Sequence, residues 1–111
     1  MQRTIAIACP ADTPEDVQTA FDAFVGAMSG RATPGDSHAL LMLATSWTTW
    51  RKATASVAEL GPVVMSGGTA IANPSLAVAH QAHGQILALS RELGLTAASR
   101  QKLQTEDHDE A

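Results

Sequence analysis

Residues 73–103 read NPSLAVAHQAHGQILALSRELGLTAASRQKL, and the rest of the chain is organised around them. Asn73 is suited to cap a helix, because its side-chain oxygen can accept one of the first unpaired backbone N–H groups. Pro74 follows at the first helical position, where its missing N–H costs nothing. Leu76, Ala79, His83, Ile86, Ser90 and Leu93 recur at steps of three and four, which predicts one helical face. Gly94 stops this helix, and Arg91 places a cation in its last turn. Thr96 reads as a second cap, with a short helix from Ala97 to Leu103 behind it.

Working backwards, Gly61-Pro62 ends an earlier and longer helix that starts at Thr33-Pro34 or at Asp36. Leu40, Leu43, Trp47, Trp50, Thr54 and Val57 form a heptad-like seam along it, widened by Leu41, Ala44 and Leu60. Between the two long helices, Val63 to Ile71 carries Ser66-Gly67-Gly68 among apolar residues, which fits either a small hairpin or a flexible loop. Further upstream, Thr13-Pro14-Glu15-Asp16 predicts a helix start, with Thr13 as cap and Asp16 closing a capping box. Val17, Ala20, Phe21, Phe24, Val25 and Met28 then make one apolar stripe, ended by Ser29-Gly30. Residues 1–12 read as an extended, flexible arm.

The expected architecture is therefore all-α: two long helices, a shorter N-terminal helix and a short C-terminal one. A helical domain spans residues 13–104. Residues 105–111 form an acidic tail with no large apolar side chain, expected to be disordered. The 111-residue chain is long enough for one domain with a core. Aromatics make up only 4% of it, which favours close-packed helices over a β-sandwich. The single Cys9 allows no intrachain disulfide and fits a reducing compartment. No apolar run reaches membrane-spanning length, and Pro10 cuts off the short apolar start at Ile5 to Ala8.

The run Glu92-Leu93-Gly94-Leu95-Thr96-Ala97-Ala98-Ser99-Arg100 resembles the C-terminal signature of a family of phage terminase small subunits. In that family Gly-Leu-Thr-x-x-Ser-Arg closes a helix that an Asn-Pro opens roughly 20 residues upstream, a span of about 30 Å of helix. Asn73-Pro74 and Gly94 through Arg100 match both ends. Ala97 departs from the pattern, since the family usually has Pro there. The similarity extends back to about Asp36. The resemblance implies a non-catalytic protein of the host cytoplasm. It implies a homo-oligomeric ring that recognises viral double-stranded DNA and recruits or regulates the large terminase subunit, which holds the ATPase and nuclease.

The formal charge is −4, but Glu106, Asp107, Asp109 and Glu110 carry four of the negative charges. Without them, seven acidic residues face seven basic ones, so the body is neutral. Arg100, Lys102, Arg91, Arg51 and Lys52 are the candidate DNA contacts, Arg100 because it lies in the family-like motif. Leu40, Leu43, Trp47, Trp50 and Val57 are the candidate oligomer interface. The position of both Trp residues on the apolar seam favours core or subunit contact over base stacking.

His80 and His83 could face one metal ion, yet no third ligand stands at a useful helical spacing, so no metal and no cofactor is expected. No nucleophile elbow, Walker motif or paired carboxylate singles out a catalytic site. Two other classes remain open: a small helical transcription regulator, and a structural oligomer that does not bind DNA. A regulator's recognition helix would be short and rich in Arg, Asn and Gln, unlike either long helix.

Overall fold

The structure is a computed structural model that describes residues 7–95. Its elements run α1 (Glu15–Ala27), a single 3-10 turn (Pro34–Asp36), α2 (Ser37–Leu60), β1 (Val63–Ser66), β2 (Thr69–Ala72) and α3 (Pro74–Glu92). The fold is thus mostly helical, with one small antiparallel sheet where all-α was expected. The anticipated C-terminal helix and the acidic tail lie outside the described residues.

Helix α2 has 24 residues and so runs about 36 Å. Helix α3 packs back along it, and α1 covers the half of α2 nearest its N-terminus. Phe21, Leu40 and Leu43 are the large side chains fully removed from solvent. Val17, Ala20, Met28, Ala44 and Leu93 complete that core, so it sits where all three helices meet. Leu40 and Leu43, expected at a subunit interface, spend their side chains on this chain's own core. Ile7 and Cys9, expected in a flexible arm, are half-buried against the same cluster.

The expected stripe of α1 is realised: Val17, Ala20, Phe21 and Met28 are buried, Phe24 and Val25 partly so. Its start differs from expectation. Pro14 is the cap residue and no side chain caps the helix. Asp16 instead accepts from the N–H of Val17 next to it, at 2.9 Å. The 3-10 turn before α2 does carry a capping box: Asp36 accepts from the backbone N–H and hydroxyl of Thr33.

On α3 the buried side keeps Ala79, Ile86, Ser90 and Leu93 of the expected face and loses two of its members. Ala82 is buried and Ala79, Ile86, Leu89 and Ser90 are half-buried, whereas Leu76 and His83 are exposed. Ile86 and Leu89 pack against the core cluster, whereas Leu76, Val78 and Leu87 are exposed. One polar pair spans this contact, with the Ser46 hydroxyl donating to Gln85 Oε1 at 3.0 Å.

The segment left open between hairpin and loop is a hairpin. Val63 pairs with Ala72, Val64 with Ile71, Met65 with Ala70 and Ser66 with Thr69. Gly67 and Gly68 form its two-residue turn with φ of 57° and 81°. Positive φ at both central positions is the type I′ requirement that matches the twist of the flanking strands.

Asn73 closes the hairpin onto the helices. It is only 4% exposed, and all its polar atoms are paired. Its side-chain oxygen accepts from Ser75 N–H at 3.0 Å, the expected cap of α3. Its Nδ2 donates to the Gly61 carbonyl at 3.1 Å, and its backbone N–H donates to Pro62 at 2.8 Å. One residue therefore ties the end of α2 to the start of α3. Asn73→Ala should destabilise by about 1–3 kcal/mol, because it removes a cap and leaves the partly buried Gly61 carbonyl without its donor. Asn73→Ser keeps a capping oxygen and loses the amide donor, so its melting temperature should fall between those of wild type and Asn73→Ala. Equal losses in both variants would show that the cap contributes nothing.

Candidate nucleic-acid and subunit interfaces

The two cations expected on α2 lie at the edge of a groove between α1 and α2. Its volume is about 460 Å³, and Asp16, Ala20, Ala23, Trp47, Arg51 and Lys52 are among its lining residues. The floor is apolar and the rim is charged. Phe24 presents its edge to the Trp47 ring at a centroid distance of 6.1 Å and an interplanar angle of 88°. Trp47 and Trp50 stack at 5.4 Å and 26°. Both Trp residues and Val57 are half-buried, so of the five candidate interface residues these three retain surface.

Lys52 is not a free cation. Its Nζ lies 2.9 Å from Asp16 Oδ2, with both side chains largely in solvent. The hydrogen bond from Lys52 holds the Asp16 carboxyl below its ordinary pKa; the Val17 N–H and the lysine's charge act in the same direction, and partial burial opposes them. Arg51 is exposed beside this pair.

Arg91 is exposed in the last turn of α3. Helices α2 and α3 are antiparallel and Ser46 meets Gln85, so Arg51 and Arg91 lie on opposite sides of that contact. Counting rise per residue, they are about 16 Å apart along the helix axes. Arg51 and Arg91 therefore do not share one patch. Arg100 and Lys102 lie outside the described residues. Arg31, which was not singled out, donates from Nη2 to the Gly94 carbonyl at 3.4 Å and ties the loop after α1 to the end of α3.

His80 and His83 are both exposed on α3, and no group of three or more His, Cys, Asp or Glu forms a metal-ligand cluster among the described residues. Burial, with the charge of Asp22 second, raises the pKa of the Cys9 thiol, which keeps it protonated at neutral pH. A thiol is a poor nucleophile in that form. Among the described residues no helix is long and apolar enough to cross a membrane.

The Asp16–Lys52 pair makes a directional pH prediction. A carboxylate with a lowered folded pKa stabilises the fold above the ordinary Asp value. That contribution disappears as pH falls through the lowered one. Exposure keeps the effect small. In an NMR titration Asp16 should titrate below a free aspartate, and Lys52→Ala should move it upward. An Asp16 midpoint unaffected by Lys52→Ala would mean that the pair does not persist in solution.

Comparison with known families places the chain. Residues 20–110 match the family described as phage terminase, small subunit. The match reaches further upstream than the similarity read from the sequence and takes in most of α1 with α2, the hairpin and α3. Searches of curated proteins and of solved structures give no significant match. With a family match covering well over half of its length, this chain belongs to the phage terminase small subunits.

Proposed function

We propose that this protein is the non-catalytic, DNA-recognising subunit of a phage packaging terminase, acting in the host cytoplasm. It assembles as a ring, binds viral double-stranded DNA at the start of packaging, and recruits or regulates the large subunit. The family match over residues 20–110 carries this reading.

The distribution of charge supports a ring over a single DNA-binding copy. Affinity for DNA grows with the number of phosphates neutralised, and each Lys or Arg contact adds to the salt dependence. One copy offers Arg51 and Arg91 far apart and Lys52 shared with Asp16. Arg100 and Lys102 would add two more positive charges. Copies held around one duplex multiply such weak contacts into avidity.

Replacing Arg51 and Lys52 together with Ala, or Arg100 and Lys102 together, should weaken DNA binding and flatten its dependence on salt while leaving helicity intact. In the decisive assay, ATP hydrolysis and DNA cleavage by the large subunit of the same phage are measured with and without this protein at matched salt. Changed rates are expected, with no ATPase or nuclease activity from this protein alone. Unchanged rates with no co-elution of the two proteins would contradict the proposal and favour a structural oligomer.

A further inference from the structure

The end of the α2–α3 arm is apolar and uncharged, and among the described residues nothing covers it. Residues 60–90 contain no Asp, Glu, Lys or Arg. Leu60, Val63, Met65, Ile71, Leu76 and Val78 are all exposed there, Val63 at 58% and Met65 at 68%. They surround a two-stranded hairpin, which by itself is at best marginally stable in water. Among the described residues no third strand pairs with either of its outer edges.

The register fixes which backbone groups those edges offer. Asn73 N–H bonds to the Pro62 carbonyl, so moving inward the bonded pairs are Val64 with Ile71 and Ser66 with Thr69. Val63 and Met65 on β1, and Ala70 and Ala72 on β2, therefore aim their N–H and C=O groups outward. The side chains of these four also share one face and are all exposed. No charged side chain or internal proline protects either strand, the usual guards of a free edge.

We infer that the hairpin is the contact between neighbouring copies of this chain, with the β1 edge of one copy pairing with the β2 edge of the next. This rests on the ring reading and says which surface builds the ring. Because β1 and β2 run antiparallel, two copies side by side in the same orientation bring β2 of one antiparallel to β1 of the other. That contact is head-to-tail, so it repeats, and closing the circle leaves no free edge. Pairing β1 with β1 about a two-fold axis leaves both β2 edges exposed. A surface without formal charge suits like copies, since nothing on it repels its own duplicate. It is a poor fit to DNA, which is bound through phosphates.

The area is close to what an interface needs. The exposed side chains of the tip offer apolar surface on the order of 500 Å², at the upper end for a monomer's largest patch. A standard stable interface covers about 800 Å² on each partner. The adjoining faces of α2 and α3, rich in Ala, supply the remainder.

The full chain is tested by light scattering at micromolar concentration beside Met65→Asp and Ala70→Pro, with circular dichroism to verify helicity. Met65→Asp places a charge in the contact, and Ala70→Pro removes an outward N–H without touching a bond inside the hairpin. Wild type should be larger than a dimer, and each variant should drop to monomer or at least twofold in mass with helicity unchanged. Variants that keep the wild-type mass overturn this inference and leave the ring reading standing. A monomeric wild type overturns both, and its co-flotation with phosphatidylcholine vesicles would assign the tip to lipid.

Geometry is read by co-expressing Met65→Cys with Ala70→Cys or Ala72→Cys, each in a Cys9→Ser background. Disulfides between the two different chains support head-to-tail pairing. Products dominated by Met65→Cys joined to itself overturn it.

Discussion

The amide side chain of Asn73 sits between the end of α2 and the start of α3 and bonds to both. The rest of the arrangement depends on that junction. Gly61, at φ 85°, terminates α2 and turns the chain, and its partly buried carbonyl accepts from Asn73 Nδ2. A buried carbonyl without a partner costs about 1–3 kcal/mol. Asn73 satisfies it with one end of its amide and caps α3 with the other. The two helices are thereby held antiparallel, and the ten residues between Pro62 and Asn73 have to form a tight hairpin. Core contacts then fix how α3 lies on α2. The Ser46–Gln85 bond adds a directional constraint to that contact.

Much of this was legible because it depends on local chemistry. Asn-Pro at the start of α3, Gly-Pro after α2 and the apolar stripe of α1 each report a backbone or packing requirement within a few residues. The departures occur where distant partners decide. Thr13 and Asp16 had the pattern of a capping box, but Lys52, some 36 positions on, draws Asp16 outward. On α3 the expected face holds at Ala79, Ile86, Ser90 and Leu93 and fails at Leu76 and His83. Ala82, which the spacing did not select, is 3% exposed, while Leu76 is open to solvent. The seam of α2 divides for the same reason: α1 and α3 cover Leu40 and Leu43, while Trp47, Trp50 and Val57 lie at the margin. Ser66-Gly67-Gly68 between apolar runs signals the hairpin locally, but exposure of both strands depends on where α2 and α3 end and carries no local signal.

Charge and apolar surface are segregated along the molecule. Arg51, the Asp16–Lys52 pair, Arg31 and Arg91 all belong to the half where α1 packs, whereas the far half of the α2–α3 arm carries Glu59 and otherwise no formal charge. A single copy with this layout is poorly equipped for either DNA or solvent. It has few free cations, and its hairpin exposes backbone edges beside apolar side chains. In the proposed ring, association of copies through the arm covers the hairpin and repeats the cationic half around a common axis. In this reading the terminase small subunit does no chemistry and contributes geometry, presenting many weak phosphate contacts to one duplex beside the motor.

Imaging of the full chain by electron microscopy, with native mass spectrometry on the same sample, tests this account most directly. It predicts closed rings of a narrow mass distribution, larger than dimers, with the α2–α3 arms side by side. Single copies at micromolar concentration, or two-fold dimers joined at their hairpins, would contradict it.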